Sequence, residues 1–206
     1  MSDRLRIGVS QRRVSLVDRN EERDAIDVRL IKLLWDLGFL PIPLISGIND
    51  HHEYLSALSL DGFVLSGGNN IGECEDRDVF EIEILKFSIM FNLPVLGVCR
   101  GMQLINQFQK GKLRKVENHV AVSHDVSGLL FSDVAEKVNS FHDYGIFEDI
   151  LGHDFDVLAS ADDGVIEALA HSEYRWLGIM WHPERNAQIS EIDKKIIFSH
   201  LNKDSL

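Results

Sequence analysis

Hydrophobic positions along the chain switch repeatedly between a strand-like and a helix-like period. "LRIGVS" (5–10) is a short apolar run bounded by polar residues, as a buried strand requires. Between Asp24 and Gly38 the apolar positions include Ile26, Leu30, Leu33, Leu34 and Leu37. Their spacings of 4, 3, 1 and 3 trace one face of a helix, and Gly38 is placed to end it. "FLPIPLI" (39–45) follows, and its two prolines confine it to the margin of a sheet. "DGFVLSGG" (61–68) is a second buried strand that runs into a glycine turn. A long amphipathic helix is expected over 77–92, after which Pro94 opens the strand "PVLGVC". "MQLINQFQK" (102–110) reads as a further helix, closed by Gly111. This alternation through the first 110 residues predicts an α/β fold whose parallel sheet is covered on both faces. In such sheets chemistry gathers outside the carboxyl ends of the strands.

The second half is richer in strands: "DFDVLASA", "GVIEALA" and "RWLGIMW" follow one another closely, and a terminal helix over 188–202 finishes the pattern. No repeat, low-complexity tract or linker interrupts it, so residues 1–206 are expected to form one domain.

Composition narrows the classes of function. A chain that is 45% hydrophobic and 26% charged can build an ordinary globular core. A formal net charge of −12 argues against nucleic acid and anionic membranes, both of which call for a basic face. No stretch approaches the roughly 20 apolar residues of a membrane span. The opening "MSDRLRIGVS" lacks the apolar core of a signal peptide, and two cysteines make no disulfide framework. A reduced, cytoplasmic setting is therefore expected.

The two cysteines differ in kind. Cys74 sits in "GECEDRD", among carboxylates that disfavour thiolate, and reads as a bystander on a loop. Cys99 sits in "GVCRG", between a strand and a helix, where hydrolases often place a nucleophile on a sharp turn. There the positive end of the following helix favours thiolate. A small buried cysteine in a tight corner is an equally good account of those five residues alone. Further along, "LGIMWHPER" is an apolar strand ending in His182, Pro183 and Glu184. Residues two apart on an extended segment project the same way, so Glu184 can hold the far side of the His182 ring. The nine histidines form no zinc-binding spacing, and the tandem pair His51 and His52 lies on a polar helical stretch.

Taken in order, "DGFVLSGGNNI", "RDVFEIEIL", "PVLGVCRGMQLIN", "VNSFHDYGI", "DGVIEALAH" and "GIMWHPER" resemble the class I glutamine amidotransferase-like superfamily, nearest to its γ-glutamyl hydrolase branch, peptidase family C26. The resemblance spans residues 5–185. It implies a three-layer, flavodoxin-like sandwich around a mostly parallel sheet, and cleavage of a γ-glutamyl amide through a thioester, without metal or organic cofactor. By motif, Cys99 would be the nucleophile, His182 the general base and acid, and Glu184 its orienter. The backbone N–H groups of Gly68 and Arg100 would form the oxyanion hole. Gly67, Gln103, Asn139, Ser140, His142 and Tyr144 would bind substrate.

Two segments depart from the branch: "GECED" is short, and "HDY" stands where "HHQ" is usual. Both fall where the leaving group would lie. "GVSQR", the compact "SGGNN", "NHV", "NSFHDYGI" and "GIMWHPER" are similar to a smaller group, the γ-glutamyl-CDP-amidate hydrolases of capsule phosphoramidate biosynthesis. A phosphoramidate leaving group would need local cations, for which Arg12, Arg13, the Arg100 side chain, His119 and His124 are the candidates. The expected partner is a small γ-glutamyl substrate. Two other readings stay open on sequence alone: a glutaminase subunit that feeds ammonia to a synthase partner, and a non-catalytic binding module on the same fold.

Overall fold

The computed structural model describes residues 4–132 and 135–202. Its elements in chain order are β1 (Arg6–Val9), β2 (Arg12–Leu16), β3 (Glu21–Ala25), α1 (Val28–Asp36), β4 (Leu40–Pro43), α2 (His51–Ala57), β5 (Gly62–Leu65) and α3 (Glu75–Phe91). Then come β6 (Val95–Val98), α4 (Arg100–Phe108), β7 (Arg114–Lys115), β8 (Val120–Ser127), β9 (Glu136–Phe141) and β10 (Tyr144–Gly145). β11 (Phe155–Ala161), β12 (Ile166–His171), β13 (Trp176–Ile179) and α5 (Glu191–Leu201) complete the order.

Nine strands form the central sheet in the order β4-β1-β5-β6-β13-β12-β11-β8-β9. From β4 to β13 all neighbours are parallel, and the four strands beyond β13 extend the sheet in antiparallel fashion. The chain steps one way from β1 to β4 and the other way from β4 through β5 and β6 to β13. Right-handed crossovers therefore put α1 on one face and α2, α3 and α4 on the other. The second group packs together: His51 and Tyr54 of α2 lie against the Phe80 ring of α3. On the opposite face Phe198 of α5 stacks near Phe39, which leads into β4. The inner parallel strands are buried on both sides, as in Val64, Leu65, Leu96, Val98 and Ile179.

Most predicted elements are found, with shifted ends. α1 begins at Val28 rather than near Asp24, because Asp27 caps it by accepting the Arg29 N–H. Its buried residues Leu30, Leu33 and Leu34 are those of the apolar stripe, and Gly38 (φ +95°) ends it. β4, with its two prolines, is an edge strand of the sheet.

Unforeseen is the β2–β3 hairpin, which carries almost no apolar pattern. Asn69 pins it to the glycine turn after β5: its Oδ1 accepts the Arg13 N–H at 2.9 Å and its Nδ2 donates to the Arg13 carbonyl at 3.2 Å. The long pair β8–β9 was equally hidden, since six of the eight β8 residues are exposed.

Sheet register decides where chemistry can occur. Gly97 of β6 lies opposite Leu65 of β5, and Val98 opposite Ile179 of β13. The turn Ser66-Gly67-Gly68, Cys99 and the Trp181-His182 segment thus emerge side by side from the carboxyl ends of three adjacent strands.

Candidate active site

Cys99 stands at the β6–α4 corner with φ 53° and ψ −103°, a conformation that residues other than glycine rarely adopt. Close packing holds it there. A Cβ on Gly101 would meet the Leu65 carbonyl oxygen at 2.2 Å, and one on Gly97 would meet the backbone of Gly101 and Met102 at 2.6 Å. Both glycines are therefore demanded by the approach of α4 to β5 and β6, and the strain at Cys99 is the result.

The second group lies beyond the end of β13. His182 Nδ1 is 2.8 Å from Glu184 Oε1, and both side chains are buried. A carboxylate can only accept, so the proton sits on Nδ1 and Nε2 presents its lone pair. Asn139 of β9 fixes the same residue through its backbone: Oδ1 accepts the His182 N–H at 2.9 Å and Nδ2 donates to the His182 carbonyl at 2.7 Å. Gly67 separates His182 from Cys99. A Cβ there would meet His182 Cε1 at 2.8 Å, Nε2 at 3.5 Å and the Cys99 Cβ at 3.8 Å. Cysteine and histidine, 83 residues apart in sequence, flank one glycine.

Electrostatics correct one expectation. Burial pushes the Cys99 thiol up to about 12; the Arg100 N–H and the charge of Arg185 pull it down, while Glu167 and Glu184 push it further up. The helix end is present, but desolvation dominates it. This burial favours the thiol over the thiolate.

Arg77 was given no role from sequence. Completely buried in α3, its guanidinium donates to the carbonyls of Ser66 (2.7 Å), Gly67 (3.2 Å) and Gly68 (2.6 Å), and to Glu81 Oε1 at 2.9 Å. In a trans peptide the N–H points opposite to the C=O. With the Gly67 carbonyl drawn toward Arg77, the Gly68 N–H faces the other way. Gly68 itself lines the cavities of both Cys99 and His182 and takes φ +85°. The Arg100 N–H, the other expected donor, points at the Cys99 sulfur. The sequence signal for Arg77 was its i,i+4 pairing with Glu81 along an amphipathic helix.

The Arg100 side chain is not free to meet a leaving group. It is buried against Asp78 and Glu81, and together with Arg77 these make a network of two cations and two anions. Burial alone would raise the Glu81 carboxyl, but Arg100 and Arg77 outweigh it and hold it below the usual range. Arg13 is likewise committed, to Asp24 at 3.0 Å and the Ser46 hydroxyl at 2.7 Å. Arg12 is exposed, and its aliphatic stem packs over Gly68.

The other expected binding residues divide. Gln103 lines the Cys99 cavity of about 200 Å³ and donates to the Tyr144 carbonyl at 2.8 Å; His142 lines the same cavity. Tyr144 faces a neighbouring cleft. Ser140 is fully buried and donates to the His119 carbonyl at 2.6 Å, while Asn139 is committed to His182 and Asn186. These two position the loop rather than line the cavity. Next to His182 is a second cavity, of about 340 Å³, into which Arg12 and Arg185 also face. Arg185, the last residue of "GIMWHPER", was given no role from sequence; its guanidinium lies 4.6 Å from the Phe141 ring centre. His119 and His124 lie apart from this cavity, around Glu167. Cys74 is the residue before α3, with no capping bond from its side chain.

Among known proteins, the chain is 32% identical to a γ-glutamyl-CDP-amidate hydrolase of Campylobacter jejuni, over 90% of this chain and 93% of that one. It is 30% identical to a putative glutamine amidotransferase-like protein, YvdE, of Lactococcus lactis, over 81% and 83% of the two chains. In structure it matches a putative GMP synthase subunit from Thermoplasma acidophilum with a TM-score of 0.75 at 22% identity, covering 98% of this chain and 94% of that one. Strand order and these likenesses give it the flavodoxin-like, class I glutamine amidotransferase-like fold. Residues 7–184 match the peptidase C26 family model, and with that length of agreement the chain belongs to the peptidase C26 family.

Proposed function

We propose that the protein is a cysteine-dependent hydrolase of γ-glutamyl amides, with Cys99, His182 and Glu184 as its triad. The observation that carries this reading is the placement of a strained Cys99 beside an Nε2 lone pair whose ring is held by Glu184. His182 Nε2 takes the thiol proton as the sulfur attacks the γ-carbonyl carbon. The negative charge on the carbonyl oxygen is met by the N–H groups of Gly68 and Arg100. Such preset donors are each worth about 10²–10³ in rate. On collapse the C–N bond breaks, His182 returns the proton to the departing nitrogen, and a γ-glutamyl thioester remains. Water, deprotonated by His182, then attacks the thioester; glutamate leaves and the sulfur recovers its proton.

The leaving group we assign is a nucleotide phosphoramidate, as in γ-glutamyl-CDP-amidate, released as cytidine diphosphoramidate. Three things support it. The relative in Campylobacter jejuni bears that name and is matched nearly end to end. The cavity on the His182 side, where a departing nitrogen must lie, carries Arg12 and Arg185 in a protein of net charge −12. Finally, the β2–β3 hairpin, which bears Arg12, lines that cavity through Val14 and Ala25 as well.

Arg12→Ala tests this assignment. It should lower kcat/KM for γ-glutamyl-CDP-amidate about tenfold more than for glutamine, as loss of one charge-assisted contact to a diphosphate would. Equal effects on both substrates in steady-state assays would contradict it.

A second reading has its own support. A glutamine-hydrolysing GMP synthase subunit of Pyrococcus abyssi is 31% identical over 64% of this chain. A protein of that kind would stay weak until a synthase docked, whereas the hydrolase acts alone.

A further inference from the structure

Three side chains distant in sequence converge at the antiparallel end of the sheet: His119 before β8, His142 after β9 and Glu167 in β12. His119 Nδ1 lies 3.2 Å from His142 Nε2 and 3.7 Å from Glu167 Oε1, and His142 Nε2 lies 3.4 Å from that oxygen. All three residues are buried, Glu167 completely, and neither Glu167 oxygen has a hydrogen-bond partner among the described residues.

The outer hydrogen bonds fix what these atoms offer. His142 Nδ1 is 3.0 Å from the Tyr144 carbonyl, which can only accept, so neutral His142 turns the Nε2 lone pair inward. His119 Nε2 is 2.9 Å from an Asp163 carboxylate oxygen, so neutral His119 turns the Nδ1 lone pair inward. Ser140 Oγ lies 3.5 Å from that nitrogen, but its hydrogen goes to the His119 carbonyl. In the neutral tautomers that these outer bonds select, two imidazole lone pairs and a carboxylate oxygen face one another with no hydrogen between them. A cation at their centre turns this repulsion into attraction.

The spacing points to a particular class of cation. Bonds of about 2.0–2.1 Å in a tetrahedron give ligand–ligand edges of about 3.3–3.4 Å, and the three edges here bracket that value. Calcium and magnesium prefer six or more oxygens, which this set does not supply. Each histidine is braced on its far nitrogen by a carboxylate or a carbonyl, as zinc-bound histidines commonly are. His124 Nε2 also lies 3.4 Å from Glu167 Oε1, but it stands outside the three-ligand group. A cleft of about 250 Å³ beside His119, His124 and Asp163 leads in from solvent.

We propose that His119, His142 and Glu167 bind a divalent cation of the zinc class, tying β8, β9 and β12 together. The ligands come from the residue before β8, the residue after β9 and β12 itself, which is why the spacing of histidines along the chain shows no zinc pattern. β9 also carries Asn139, so the ion braces the strand that holds His182.

The test uses full-length protein carrying Cys99→Ala, so that zinc on the thiol does not count. After dialysis against a chelator, zinc is titrated by calorimetry and cobalt(II) by its tetrahedral d–d absorption. The expected result is one ion per chain and, at zinc about 100-fold above Kd, a rise in Tm of roughly 5–10 °C. Adding His119→Gln or Glu167→Gln should abolish both, with circular dichroism confirming the fold. If Glu167→Gln does not fold, His119→Gln, which can keep a hydrogen bond to Asp163, decides alone. The proposal is overturned if no ion binds, as it would be if a proton on one imidazole already satisfies Glu167. Binding unchanged in a folded variant overturns it equally.

Discussion

Cys99→Ala is expected to lower kcat for γ-glutamyl amide hydrolysis by about 10⁵- to 10⁶-fold, as removal of the nucleophile does in other triads. The size follows from the route, because without sulfur no thioester forms and water must attack the amide directly. The substitution removes one atom from a site that is already buried, so folding should survive it. Affinity for the uncleaved substrate should persist, and that separates loss of chemistry from loss of the site. Activity within tenfold of the parent, measured as glutamate release, would mean that the thiol is only a core residue. The non-catalytic reading would then return.

Arg77→Met should be the most damaging change that touches neither nucleophile nor base. It leaves Glu81 buried with half its countercharge and strips a donor from three consecutive carbonyls. Breaking a buried ion pair costs about 3–5 kcal/mol. For a chain of this length that corresponds to a fall in Tm of roughly 6–20 °C. In whatever protein still folds, the Gly67–Gly68 peptide can rotate, so kcat should fall while KM changes little. Arg77→Lys should rescue only part of this, since a single ammonium cannot reach the carbonyls and Glu81 together. A Tm within about 2 °C of the parent would show that the network is dispensable.

How much was readable in advance depended on the kind of signal. The parallel half of the sheet was legible because its strands are continuous apolar runs and its helices carry clear stripes, as in Leu30, Leu33 and Leu34. The corner at Cys99 was legible because Gly97 and Gly101 are forced by backbone contact. The β2–β3 hairpin and β8 were not, since exposed strands show little alternation of apolar residues. Side-chain destinations were legible least. Sequence placed Arg100 beside the nucleophile, yet its charge is sunk among Asp78 and Glu81, whereas the exposed Arg12 reaches the cavity. Asn139 and Ser140 looked like ligands of substrate, but they meet backbone groups that only the folded chain brings near. The thiol's environment was misjudged for the same reason: a helix end can be read from sequence, and the depth of burial cannot.

One assay bears most directly on the proposed activity. Purified protein, with no other protein present, is given γ-glutamyl-CDP-amidate and glutamine in parallel, and kcat/KM for glutamate release is compared. Two cationic side chains lining the cavity assigned to the leaving group should favour the nucleotide amidate by about 10²-fold or more. Turnover of γ-glutamyl-CDP-amidate no faster than that of glutamine would contradict the assignment.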